Sequence, residues 1–183
     1  MKGMLYPITP SFQRLVGGFK VLMFWSAWMA VSACSILSSS KGEPNLLAAK
    51  TVSPKWPGLV LTATTDANLN SAVAVDIVFA GTVEVQTILQ NLNAGKWFVS
   101  REGTMRTFSE NLKVISLELV PGQTVMLNKS DYSKWMSTGV FVFANYATPG
   151  EHKSWIPLDE SGYVITLENQ AFKLASVVSS SKL

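Results

Sequence analysis

The sequence predicts a mainly β domain built as a two-sheet sandwich, with a helical insertion between its second and third strands. Three observations carry this. Short segments of apolar and polar alternation recur between turn residues, the pattern of half-buried strands. One stretch abandons that rhythm for helical spacing. The folded part, residues 58–178, spans about 120 residues, which suits two packed sheets.

The strands follow in order. In Leu59-Val60-Leu61-Thr62-Ala63-Thr64, the residues Leu59, Leu61 and Ala63 share a face and Thr62 and Thr64 share the other. Val73, Val75, Ile77 and Phe79 share a face, with Asp76 opposite. Leu112 to Val120 turns Ile115, Leu117 and Leu119 inward and Ser116 and Glu118 outward. Pro121-Gly122 then suits a type II turn, which needs positive φ at its third residue. Val125-Met126-Leu127 reads as a short return strand. Gly139 to Ala147 is almost wholly apolar and reads as a central strand covered on both sides. Tyr163, Ile165 and Leu167 alternate again, and Phe172 with Leu174 supplies a last strand.

The helical stretch begins after Thr82. Val85, Ile88, Leu89 and Leu92 form one stripe. Thr82 is expected to cap its start and Gly95 its end. The excursion is expected to reach about Glu110 and to fold over one end of the sheets. Trp97 and Phe98 are then core plugs.

Ahead of the domain lies a different kind of segment. Lys2, Arg14 and Lys20 are the only charges before residue 34, and an uncharged apolar run fills residues 21–33. That run is too short for a spanning helix, which takes about 20 residues, and suits the apolar core of an export signal. It ends in Val31-Ser32-Ala33-Cys34, and Cys34 is the only cysteine of the chain. Two other readings are an uncleaved anchor and an ordinary signal followed by a chance cysteine. Met4 offers an alternative start. Residues 34–57, with Ser38-Ser39-Ser40, Gly42, Pro44, Pro54 and Pro57, read as a flexible tether, and residues 179–183 as a frayed tail.

This division changes the charge balance. The chain of 183 residues holds 15 Lys and Arg and 12 Asp and Glu, for a net charge of +3. Three of those bases and none of the acids precede residue 34, so the remainder is formally neutral. The apparent attraction to anions belongs to the signal. Without basic clusters interleaved with aromatics, no nucleic-acid partner is expected.

The ending Val31-Ser32-Ala33-Cys34 resembles a bacterial lipobox, with Val31 in place of the more usual Leu. That resemblance implies cleavage between Ala33 and Cys34, acylation of Cys34, and Ser35 as a signal for release to the outer membrane. Further motifs extend it. The first strand runs into Asp66-Ala67-Asn68-Leu69-Asn70, the helical stretch ends in Trp97-Phe98, and the third strand closes in Leu119-Val120-Pro121-Gly122-Gln123-Thr124. From Leu59 to about Tyr146 the chain resembles the TssJ-type outer-membrane lipoproteins of type VI secretion, or an accessory paralogue of the same machinery.

The resemblance implies a transthyretin-like β-sandwich with an added helix. It also implies an anchor in outer-membrane lipid through Cys34, facing the periplasm. The implied partner is the periplasmic domain of an inner-membrane TssM-type subunit, contacted through Asp66, Asn68, Leu69 and Asn70. Two departures stand out. The loop from Asp66 to Ser71 is compact where the family's is often longer, and Phe79-Ala80-Gly81 stands where the family commonly ends its second strand with a Tyr-Gln-Leu-like run. A pilotin-like or carbohydrate-binding outer-membrane lipoprotein is the alternative, the latter with a groove lined by Trp135 and Trp155.

Catalysis is not expected, nor any cofactor beyond the lipid on Cys34. His152 is the single histidine, in the turn-rich stretch Thr148 to Lys153, and reads as a solvated loop residue. Asp159-Glu160 reads as a solvated turn. Asp66-Ala67-Asn68-Leu69-Asn70 lacks the glycine and distal Glu of a calcium loop and reads as an Asx-rich turn. Trp97 is expected in the core, while Trp56, Trp135 and Trp155 are expected at strand edges or loops with one wet side.

Overall fold

The computed structural model describes Lys50–Val177. The expected signal, Ala33, Cys34, most of the expected tether and the expected C-terminal tail lie outside the described residues.

Among the described residues, eight strands form two four-stranded sheets. Sheet I contains β1 (Gly58–Ala63), β4 (Thr124–Asn128), β7 (Gly162–Leu167) and β8 (Phe172–Val177), in the order β4-β1-β7-β8. Sheet II contains β2 (Val73–Ala80), β3 (Leu112–Leu119), β5 (Gly139–Asn145) and β6 (Lys153–Ile156), in the order β3-β2-β5-β6. All neighbours are antiparallel except β1 and β7.

The inner faces meet as the alternation predicts. Leu59, Leu61 and Ala63 from β1 join Val73, Val75, Ile77 and Phe79 from β2 in one buried cluster. Ile165 and Leu167 of β7 and Val140, Val142 and Ala144 of β5 complete it. The predicted turn also forms. Gly122 has φ +82 and Gln123 N–H donates to the Val120 carbonyl at 3.0 Å, so only glycine fits there without strain. The strand after it does not return along β3. β4 crosses to sheet I and pairs with β1, with Val60 opposite Met126. Its Leu127 thereby reaches the core.

The helical stretch divides in two. Thr82 accepts from Val85 N–H and starts α2 (Val83–Gln90) as expected. Gly95 does not end that helix. α2 stops at Asn91, and Asn93 caps a second helix, α3 (Ala94–Thr107), by accepting from Lys96 N–H at 2.9 Å. Asparagine side chains that bond the backbone favour such breaks. The two helices lie on the outer face of sheet II, not over one end of the sheets. Val85, Leu89, Ala94 and Trp97 pack there against Val78, Ala80, Phe141 and Phe143. Trp97 is fully buried, whereas Phe98 is only half-buried. β5 is therefore covered on both faces, as its unbroken apolar run predicts.

Asp76 of β2 points to this helical side and is buried. Its Oδ2 accepts from Trp97 Nε1 at 2.8 Å and from Arg101 at 3.3 Å. Burial of a carboxylate without such partners would be strongly unfavourable.

The expected tether is shorter than residues 34–57. Val52 and Ser137 exchange two backbone hydrogen bonds of 2.9 Å, and Ser53 Oγ donates to the Ser133 carbonyl at 2.6 Å. Trp56, expected with one wet side, has no exposed surface. Its ring lies 5.2 Å from Tyr132 and 6.0 Å from Tyr163, and its indole N–H donates to the Pro157 carbonyl at 2.5 Å. Burying so large an apolar ring outweighs the entropy of fixing a few tether residues.

Candidate functional site

The strand directions sort the connections into two ends. The β1–β2, β3–β4, β5–β6 and β7–β8 turns gather at one end, the apex. The incoming segment 50–57, the link from β2 to α2, the short helix α4 (Lys129–Tyr132) and the β6–β7 loop occupy the other end, the base. The chain thus enters at the base, and the segment from Asp66 to Ser71 stands at the far end of β1.

That segment forms a single tight turn, α1 (Ala67–Asn70), with an unusual backbone. Asn68, Leu69 and Asn70 have φ of +47, +56 and +62. Asparagine tolerates the left-handed region, whereas leucine does so at a cost. The β7–β8 loop holds the turn. Asn68 N–H donates to the Glu168 carbonyl and Leu69 N–H to the Asn169 carbonyl, at 3.1 and 3.2 Å. Asn169 Nδ2 donates to the Asp66 carbonyl at 3.0 Å.

The four residues expected to meet a partner divide accordingly. Asn68 is buried; its Nδ2 donates to the Ala72 carbonyl at 2.8 Å and its Oδ1 accepts from Ala147 N–H at 2.7 Å. It pins the turn to the β5–β6 loop and has little left for a partner. Asp66 Oδ1 accepts from Thr64 Oγ at 2.7 Å and stays exposed, as does Asn70. Leu69 holds its side chain 49% exposed. Strained backbone positions cluster at ligand clamps and other functional sites. The stretch does form a turn, as its Asx residues suggest, but its left-handed backbone was not read from them, and Asn68 bonds the Ala72 carbonyl and the distant Ala147 N–H. The contributions of Ala147 and Glu168 depend on tertiary pairing and had no sequence signal.

His152 departs from the expected solvated loop residue. It has φ +39, stacks on Tyr146 with ring centroids 4.6 Å apart, and its Nε2 lies 2.9 Å from the Thr148 carbonyl. The Tyr146 hydroxyl donates to the Ala171 carbonyl at 2.6 Å, and burial foremost pushes its pKa up to about 12. Both rings stiffen the apex. Asp159 accepts from Ser161 N–H and from the Tyr163 hydroxyl, each at 2.9 Å, and the backbone bond foremost lowers its pKa. Among the described residues no three His, Cys, Asp or Glu side chains converge as a metal set, and no helix is long and apolar enough to cross a membrane.

Trp135 and Trp155 do not line one groove. Trp135 packs edge-on against Phe79, 4.8 Å between centroids, and walls a basal cavity of about 280 Å³. Trp155 stands on the edge strand β6, exposed, and is not part of that wall.

The molecule is thus a two-sheet β-sandwich with a helical pair on one outer face and a pinned, strained turn at one end. Two solved structures share the overall fold. The T6SS lipoprotein TssJ1 from Pseudomonas aeruginosa superposes with a TM-score of 0.53 at 14% identity, over 67% of this chain and 95% of that one. A chain of a type VI membrane complex gives 0.51 at 15% identity, over 69% and 98%. Serratia marcescens Lip, a membrane-bound component of the type VI secretion system, gives 0.48 at 11% identity, over 66% and 96%. No family model and no curated protein matches the sequence. The fold is the TssJ-type sandwich.

Proposed function

We propose that the chain is a TssJ-type lipoprotein of a type VI secretion membrane complex, acylated at Cys34. In this reading it sits on the periplasmic face of the outer membrane and docks the periplasmic domain of a TssM-type inner-membrane subunit. One observation carries the reading beyond the fold. The chain enters at the base, while the turn bearing Leu69 stands at the apex, so an anchor upstream leaves the apex free to meet a partner. Leu69 supplies the apolar contact and Asp66 and Asn70 its polar rim.

The test pairs two substitutions. Cys34→Ala should remove the protein from the outer-membrane fraction, and unchanged fractionation would refute the anchor. Leu69→Asp should abolish co-purification with the TssM-type periplasmic domain while leaving the melting temperature unchanged. Retained co-purification would refute the apical contact.

A further inference from the structure

The base carries a feature of its own. Lys50, Lys113, Lys129 and Lys134 are exposed there, and Met136 is 56% exposed beside half-buried Trp135. The Lys134 ammonium lies 5.8 Å from the Trp135 ring centroid. Lys113, Lys129 and Lys134 make no ion pair among the described residues. The basal carboxylates are engaged differently. Asp131 Oδ2 accepts from Asn128 N–H at 2.8 Å, Glu160 pairs with Lys55 at 3.2 Å, and Asp159 is bonded to Ser161 and Tyr163. Glu110 shares the cavity wall with Lys113 and Lys134. At the apex the balance reverses. Lys173 is paired with Glu168 at 2.7 Å and Lys153 with Glu151 at 3.9 Å, which leaves Asp66 without a cation among the described residues.

We propose that the basal surface formed by Lys50, Lys113, Lys129, Lys134, Trp135 and Met136 seats on anionic phospholipid headgroups. The inference rests on the reading of Cys34 as the anchor. Lys50 lies sixteen positions after Cys34, and even a fully extended chain of that length spans at most about 55 Å. The domain is tied by its base, so the base is the end that meets the bilayer. Lys113 Nζ donates to the Ser109 carbonyl at 2.8 Å and keeps its charge. The basal ammonium groups match phosphate, each worth about fivefold in affinity near an anionic surface. The lysine stems, Trp135 and Met136 add apolar contact at headgroup depth, where amphipathic rings are favoured. Seated in this way, the base fixes the apex pointing away from the membrane.

The experiment uses the chain from residue 34 onward carrying Cys34→Ala, so that no lipid anchor contributes. Flotation is measured with phosphatidylcholine vesicles and with vesicles of which about a third is phosphatidylglycerol. Binding is expected to the anionic vesicles alone and to fade with salt. Lys113→Glu with Lys134→Glu should weaken it by at least about tenfold, and Lys96→Glu, on α3, should leave it unchanged. Equal binding to neutral vesicles, no binding, or an equal loss with Lys96→Glu would each overturn the proposal. Fractionation of Cys34→Ala in cells reports separately on the anchor. A failed anchor with intact vesicle binding, and the reverse, are therefore distinct results.

Discussion

The outer face of sheet II is roofed by α2 and α3, whereas the outer face of sheet I meets solvent directly. The residues record the difference. Under the roof, Val78, Ala80, Phe141 and Phe143 are buried. On the open face, Met126, Val60, Val164 and Ala175 stand opposite one another in a single cross-strand row. A row of Thr124, Thr62, Thr166 and Lys173 flanks it. One face thus relies on the helices to exclude water, and the other mixes modest apolar residues with hydroxyls that tolerate it. The roof also permits something the open face cannot, a carboxylate buried between strand and helix.

The largest expected effect tests the roof. Trp97 is fully buried and stacks on Phe143 with ring centroids 5.1 Å apart. Trp97→Ala should destabilise the fold by roughly 3–5 kcal/mol in denaturant unfolding. Met126→Ala, on the open face, should stay within about 0.5 kcal/mol. Comparable losses would mean that the open face is packed as tightly as the covered one.

A smaller effect tests the buried carboxylate. Arg101→Ala leaves Asp76 with only the Trp97 indole N–H, and Asp76 Oδ1 already lacks a partner among the described residues. A loss of about 1–3 kcal/mol is expected, because the buried charge keeps its desolvation cost. Asp76→Asn combined with Arg101→Ala should recover part of it. No recovery would show that Arg101 acts through its packing on Phe98, where it lies 5.7 Å from the ring centroid.

The same substitution on both faces sharpens the contrast further. Val78→Thr buries a hydroxyl beneath the helices and should cost roughly 1–3 kcal/mol. Val164→Thr lies in the open row and should change stability by less than about 0.5 kcal/mol. Equal values would erase the distinction between the faces.

Much of this was legible before the structure, for a physical reason. Alternation reports which residues face the core, so the inner faces of β1, β2 and β7 were readable, and the unbroken apolar run of β5 marked it as covered on both faces. The helix stripe reported a helix and Thr82 its start, but neither the break at Asn93 nor its place on the outer face of sheet II. What failed depends on contacts distant in sequence. Pro121-Gly122 predicts a turn but not which strand receives the chain, and β4 pairs with β1 some 60 residues earlier. β6, at four residues, is too short for a pattern. The fully buried Trp56 sits in a Pro-rich stretch that reads as tether until Tyr132 and Tyr163 close around it. At the apex the asparagines signalled the turn, but not that Asn68 would be consumed in holding it.

A small expected change in stability, of the opposite sign, carries the most information about the apex. Leu69 holds φ +56, a conformation that disfavours an L-residue by roughly 1–2 kcal/mol. Glycine removes that penalty and adds about 0.5–1 kcal/mol of unfolded-chain entropy. The Leu69 side chain is half exposed, so its loss forfeits little burial. Leu69→Gly should therefore leave stability unchanged or raise it by up to about 1 kcal/mol, measured by thermal unfolding. If Leu69 is the apolar contact of a docking surface, the same variant should lose partner capture while gaining stability. A clear destabilisation would instead mean that the side chain is packed for the fold, and that the left-handed turn serves the sandwich alone.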